Sequence, residues 1–198
     1  MPITYLDHLP HELSAAAVYL FLDALGEKLV PVLGDDARAQ AVLENSLDPT
    51  RGIAAVCEGE LVGLLAIKDR EGGFIAPTLR AMTQTYGLLG GLYRMVGLAF
   101  LHHAVAPDEF YVDGVAVVGA MRGRGVGSQL FARFEKRALE NGVRTLSLTV
   151  IDTNPRAEAL YERLGFVRVK QERLWPLNRI FGLPFASGTL MVKKIDGS

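Results

Sequence analysis

The sequence predicts a mixed α/β domain: a twisted, largely antiparallel sheet with a central parallel pair, flanked by helices. Three observations predict it. Gly52 to Cys57 and Leu61 to Ile67 are short apolar runs separated by Glu58-Gly59-Glu60, the pattern of an antiparallel hairpin. Phe166 to Leu174 and Gly188 to Lys194 form a second hairpin around a loop rich in proline and apolar residues. Between them stands a strand-like run, Tyr111 to Val118, then Val126, Leu130, Phe131, Phe134 and Ala138 at helical spacing, then the alternating Thr145 to Ile151. A strand, helix and strand in that order imply parallel pairing.

The remaining elements follow from periodicity and breakers. Asp7 to Leu33 carries Leu13, Ala17, Leu20, Phe21, Ala24 and Leu25 at helical spacing, with Gly26 and Pro31 as breakers. Asp35-Asp36 caps a second helix from Ala37 to Leu47, which ends near Asp48-Pro49. Met82, Tyr86, Leu89, Tyr93 and Val96 mark one or two helices between Pro77 and His103. Gly142 closes the helix that begins at Val126, and Asn154-Pro155 opens the next one, which Gly165 terminates.

A chain of 198 residues fits one domain, 1–198, with a helical insertion at about 77–106. The net charge of −1 gives no basic field that would favour nucleic acid or an anionic membrane as partner. The single cysteine, Cys57, excludes an intrachain disulfide and supplies no metal-ligand cluster, so no metal is expected. The first eight residues lack the basic segment and apolar core of a secretory signal, which points to the cytoplasm. Tyr86 to Ala106 is apolar enough to resemble a membrane span, but Arg94, His102, His103 and several glycines favour a helix packed on a soluble core.

Function concentrates in Arg122-Gly123-Arg124-Gly125-Val126-Gly127-Ser128, which joins a strand to a helix. Glycines let backbone amides approach an anion, and the first helical turn offers unpaired N–H groups with partial positive charge. Arg122 and Arg124 would add charged contacts at the rim. The same spacing also fits an ordinary turn with solvated arginines.

The turn and its downstream partner together resemble the GNAT superfamily of N-acetyltransferases. Arg122, Gly125 and Gly127 match its Arg/Gln-x-x-Gly-x-Gly/Ala acyl-CoA motif, and Asn154-Pro-Arg-Ala157 with Leu160-Tyr-Glu-Arg-Leu-Gly-Phe166 resembles the helix and strand that follow. The resemblance covers Tyr111 to Val169, with Gly119 standing where many relatives carry proline. It implies acetyl-CoA as co-substrate, lying in a gap where two parallel strands splay apart. Backbone groups of Val115, Ala116 and Val117 would pair with the pantetheine as an added strand would. Gly114 would mark the bulge that opens the sheet. Asn154 would contact the pantetheine arm, Ala157 would permit close approach, and Tyr161 would protonate the departing thiolate.

The incoming amine must also lose a proton, and here the residues leave alternatives open. Asp113 falls on the face of Val115 and Val117 if the strand is regular; Glu109, His102 and His103 are the others. The acceptor would be an amine of a small molecule or peptide. Relatives usually join their third and fourth strands through a short hairpin, so the 77–106 insertion is a departure. It would roof the acceptor pocket, and with Phe181 and Phe185 it favours an acceptor with an apolar portion. A homodimer interface or an enlarged core would use the same residues. A non-catalytic acyl-CoA sensor with a closed acceptor pocket is the rival function.

Overall fold

The structure is a computed structural model that describes residues 2–196. Met1, Gly197 and Ser198, the ends of the expected 1–198 span, lie outside it. Its strands are β1 (Thr4–Leu6), β2 (Gly52–Cys57), β3 (Glu60–Lys68), β4 (Glu109–Val117), β5 (Thr145–Ile151), β6 (Val167–Arg173) and β7 (Ser187–Lys194). Its helices are α1 (Ser14–Leu33), α2 (Ala37–Glu44), α3 (Leu79–Phe100), α4 (Val126–Glu140), α5 (Pro155–Arg163) and α6 (Leu177–Ile180). The strands form one sheet in the order β1-β2-β3-β4-β5-β7-β6. Every neighbouring pair is antiparallel except β4 and β5, as the strand, helix and strand pattern required.

Two layers cover the sheet. On one face α4 and α5 bury Val126, Leu130, Phe131, Phe134 and Tyr161 against β2 to β5. On the other, α1 lays Ala17, Leu20 and Phe21 over Ala54, Leu64 and Ala116. A third cluster joins the end of α1 to α2, α3 and the segment carrying Phe181 and Phe185.

Local chemistry explains most boundaries. Asp36 accepts from the N–H groups of Arg38 and Ala39 and so starts α2, which ends at Glu44, before the expected Leu47. Glu58 and Gly59, with φ of 53° and 85°, make the tight turn between β2 and β3. Gly142 (φ 71°) and Gly165 (φ 89°) take the left-handed conformation that closes α4 and α5.

Two further features depart from the expectations. The breakers Gly26 and Pro31 sit inside α1, which bends at Leu25 but continues. An interior proline costs about 3 kcal/mol, whereas one fully buried Leu or Phe contributes about 1.5–3 kcal/mol, so the several apolar residues that α1 buries outweigh the break. Strand β1 is too short to show alternation and is held by pairing with β2. The 77–106 stretch, by contrast, takes the second of its expected forms, two helical segments meeting at Gly87, where φ is 74° and ψ 169°. They fold back so closely that a Cβ on Gly91 would lie 2.7 Å from the backbone of Met82 and Thr83. No helix among the described residues is long and apolar enough to cross a membrane.

Candidate active site

The site begins where the parallel pair comes apart. β4 and β5 pair from Glu109–Thr145 to Val112–Leu148 and no further. Beyond that rung β4 still pairs with β3 as far as Val117, and β5 still pairs with β7 as far as Ile151. Each strand is therefore held from outside while its inner edge is free.

A bulge sits at the same point. Ala66 of β3 faces Gly114 and Ile67 faces Val112, so Asp113 is the extra residue on β4. This corrects the expectation for its face. Val115 and Val117 pack with the α4 side of the core, whereas Asp113 turns to the α1 side beside Leu25 and Lys28. Gly114 lets α1 lie flat on the bulge, since a Cβ there would meet Leu25 Cδ1 at 2.6 Å and Phe21 Cε2 at 2.8 Å.

On the α4 side, the glycine turn has the geometry of an anion cradle. Gly123 (φ 75°) and Gly125 (φ 79°) are left-handed, and Gly125 starts α4 without any side-chain cap. The N–H groups of Val126, Gly127 and Ser128 therefore face outward with no side chain competing for them. A Cβ at Gly119, Gly123, Gly125 or Gly127 would meet nothing, so the space around the turn is open. The side chain of Val126 itself is core. Arg122, expected at the phosphate rim, donates Nε–H to the carbonyl of Val117 at 3.0 Å and braces the turn against β4. That carbonyl is one of the expected pantetheine partners, so the 113–116 edge is what stays open. Arg124 is exposed. The residues present fit a phosphorylated, strand-like ligand such as CoA.

Across the gap, Asn154 caps α5 by accepting from the N–H of Ala157 at 3.1 Å, which leaves its amide nitrogen for a ligand. Tyr161 is buried, its ring packed against Phe131 at 5.7 Å and Phe166 at 6.2 Å. Its hydroxyl makes no hydrogen bond among the described residues, and burial pushes the phenol up to about 12.

On the α1 side lies a cavity of about 570 Å³. Its walls are apolar: Phe21, Leu25 and Leu29 from α1, Ile75 from the segment after β3, and Met95 and Leu98 from α3. The insertion thus does wall this space, while Phe181 does not reach it and packs on Tyr93 and Gly97 instead. The end nearest the gap is polar, with Lys28, Lys68, His102, Tyr111 and Asp113. A second cavity of about 260 Å³ shares Lys28, His102 and Tyr111 and continues past Thr149 of β5 to Phe185.

The electrostatics of that end are unusual for an apolar chamber. Burial pushes the Asp113 carboxyl up, with the ammonium groups of Lys68 and Lys28 pulling against it. Burial likewise lowers Lys28 and Lys68, with Asp113 opposing in each case. Lys28 Nζ donates to the carbonyl of Thr149 at 3.3 Å, and Lys68 Nζ lies 2.8 Å from both His102 Nδ1 and the carbonyl of His103. The other base candidates are engaged. Glu109 accepts from Ala106 N–H at 2.9 Å, contacts the Ser147 hydroxyl and pairs with His103 Nε2 at 3.2 Å. Burial pushes its carboxyl up, but those hydrogen bonds prevail and hold it below the usual carboxylate range. His103 also stacks on Tyr111 at 4.6 Å.

Lys28, Lys68 and Tyr111 were not singled out from the sequence. The available signal was a lysine interrupting one apolar helix and another ending an apolar strand. Among the described residues, no group of three or more His, Cys, Asp or Glu could hold a metal ion.

A split parallel pair with an uncapped glycine turn on one side is what the GNAT resemblance implied, and comparison with known proteins agrees. The sequence model of the Acetyltransferase (GNAT) family matches residues 18–166, and the chain belongs to that family. It is 38% identical over 68 residues to N-alpha-acetyltransferase MAK3 of Arabidopsis thaliana, covering 34% of this chain and 36% of that one. It is 33% identical over 74 residues to thialysine N-epsilon-acetyltransferase of Bos taurus, covering 37% and 44%. The matches therefore span less than half the length of these relatives. The fold is shared with the Drosophila melanogaster polyamine N acetyltransferase, at a TM-score of 0.65, 16% identity and coverage of 98% and 100%.

Proposed function

We propose that the protein transfers an acetyl group from acetyl-CoA to the amine of a small molecule or peptide, within one ternary complex. The observation that carries this reading is the gap beyond Val112 and Leu148, with the glycine turn on one side of the sheet and the cavity on the other. Acetyl-CoA supplies an acyl group activated as a thioester.

The chain's own residues account for binding and proton movement. The first-turn amides of α4 hold the pyrophosphate, and the 113–116 edge of β4 aligns the pantetheine. Asp113 takes a proton from the acceptor ammonium, directly or through water, so that the free amine forms the new N–C bond. As the C–S bond breaks, Tyr161 returns a proton to the thiolate. The raised Asp113 carboxyl suits it to this role, because a base is most effective when its pKa approaches the working pH.

A covalent enzyme intermediate is not part of this reading. Cys57 lies in β2 at 5% exposure, inside the hydrophobic cluster under α4. Cys57→Ser is expected to retain acetyl transfer, and loss of transfer from a folded variant would favour a cysteine nucleophile.

The relatives act on unlike acceptors: one is named for N-alpha acetylation, one for the N-epsilon group of thialysine and one for polyamines. Their names therefore do not choose the acceptor here. The decisive test is CoA release across an amine panel spanning peptides, amino acids, aryl- and alkylamines and polyamines. Release with at least one class supports the transferase. Binding of acetyl-CoA without release for every class would favour a sensor, although the open cavity argues against the closed pocket that a sensor would have.

A further inference from the structure

The polar end of the larger cavity carries two ammonium groups and one carboxylate on a chamber otherwise lined by aliphatic and aromatic side chains. Lys28 comes from α1 and Lys68 from the end of β3, and neither closes an ion pair among the described residues. Their present partners are neutral: a carbonyl of Thr149 for one, the His102 ring and a carbonyl of His103 for the other. Asp113 feels both but pairs with neither, and its carboxyl oxygen instead lies 3.3 Å from where a Cβ on Gly73 would be. The net formal charge of this trio is +1.

One carboxylate leaves two cations kept partly out of water only half compensated, and an anion brought to them offsets part of the remaining cost. The same chamber would repel a second positive charge. Glycine at position 73 keeps the space beside Asp113 clear, since a Cβ there would stand 3.3 Å from its carboxylate oxygen. Below the charged end the walls offer no further hydrogen-bonding side chain: Phe21, Leu25, Leu29, Ile75, Met95 and Leu98 suit only an apolar group.

From this arrangement, and resting on the acyl-transfer reading, we propose that the acceptor is an apolar α-amino acid. Its ammonium faces Asp113, its carboxylate seats against Lys28 and Lys68, and its side chain fills the apolar chamber. An α-amino acid is favoured over a longer zwitterion because the carboxylate of Asp113 and the two lysines share one end of the cavity. The ligand's opposite charges must therefore lie close together, as they do on the two groups borne by one α-carbon. This separates the protein from enzymes that take polyamines, whose additional charges would lie against the lysines or in the apolar walls.

Binding, read by calorimetry on the CoA-saturated protein, tests the seat independently of turnover. The probes are L-leucine, L-methionine and L-phenylalanine, each beside its decarboxylated amine, with spermidine as the polycation. At least one amino acid is expected to bind about tenfold or more tightly than its decarboxylated amine, the scale of one charge-assisted contact, and spermidine is expected to bind weakest. Lys28→Met and Lys68→Met should each bring that ratio toward one, because the amino acid loses a charged contact while the amine, relieved of one repelling cation, binds no more weakly than before. Lys68 also tethers His102 and His103, so if Lys68→Met fails to fold, Lys28→Met decides. The proposal is overturned if no amino acid binds, if the decarboxylated amines bind as well, or if the ratio survives in Lys28→Met. If an amino acid binds with this lysine dependence yet releases no CoA from acetyl-CoA, the amino acid is not the acceptor and that part of the proposal is overturned; the transferase reading falls only if every other amine class also fails.

Discussion

Val112 and Leu148 form the last rung between the parallel strands, and the next residue on β4 is the bulged Asp113. Strand separation and carboxylate placement are therefore one structural event. The extra residue shifts the alternation of β4, so Asp113 and Gly114 both turn toward α1 while Val115 stays with the α4 layer. Strict alternation could not place Asp113 on the α1 side and keep both Val112 and Val115 under α4. With the bulge, the carboxylate stands at the mouth of the cavity beside the opening.

Asp113→Asn tests the base. Burial raises this carboxyl above the ordinary ~3.9 of aspartate, and Lys68 and Lys28 offset only part of the rise. Only the ionised form can accept a proton, so activity falls as pH drops through the raised value. The acid limb of kcat/KM should lie above the usual carboxylate range. The amide should lower kcat by about 10²-fold and abolish that limb. An unchanged pH–rate profile in the Asp113→Asn protein would remove Asp113 from the mechanism.

Tyr161→Phe separates proton donation from packing. The ring contacts with Phe131 and Phe166 survive the change, and the hydroxyl has no partner among the described residues to lose. Thermal stability should therefore move by no more than about 0.5 kcal/mol. With its pKa pushed up to about 12, the phenol stays protonated through any ordinary assay range and can act as an acid. We expect kcat to fall at least tenfold, toward the lower end of the ~10²–10⁴ range for general acids because a thiolate leaves readily, with KM for acetyl-CoA unchanged. Equal kcat in the two proteins would mean that the thiolate departs unaided.

Gly125 anchors the cofactor side. Its φ of 79° is left-handed and its Cβ direction is open, so substitution strains the backbone without crowding a neighbour. Gly125→Ala should cost about 1–2 kcal/mol of stability. Gly125→Glu adds a negative charge at the uncapped start of α4, where an anion is to bind, and should reduce CoA affinity by well over tenfold. Titration of CoA into the two variants checks this; normal affinity in the Gly125→Glu protein would show that the pyrophosphate lies elsewhere.

The glycine turn, the Asn154 cap and the parallel pair were legible in the sequence and the polar end of the cavity was not, for a physical reason. The glycine turn, the Asn154 cap and the strands around them are set by local rules: positive φ, capping chemistry and alternation act within a few residues. The cavity is assembled from Lys28, Lys68, Asp113 and His102, which are far apart in the chain and meet only through tertiary packing. Gly114 marks the bulge, but regular alternation counted back from Val115 puts Asp113 on the wrong face, because so apolar a strand does not show which residue is the extra one. Pro31 misled in the opposite way, since burial of the rest of α1 outweighs a local helix penalty.

The fold of α3 yields a final contrast between two helical glycines. A Cβ on Gly91 would stand 2.7 Å from backbone atoms of Met82 and Thr83, which cannot rotate aside, so Gly91→Ala must push the two segments apart. Overpacking of this kind costs about 1–3 kcal/mol. Met95 and Leu98, on the segment that Gly91 begins to anchor, wall the acceptor cavity, so the same change should raise the KM for the acceptor more than that for acetyl-CoA. Gly26 in α1 meets only Val30 Cγ2, at an ordinary 3.8 Å, and Gly26→Ala should instead stabilise the protein by about 0.4–1 kcal/mol. Paired thermal melts decide the matter: a Gly91→Ala protein as stable as Gly26→Ala would mean that the two segments of α3 are not in contact at Gly91.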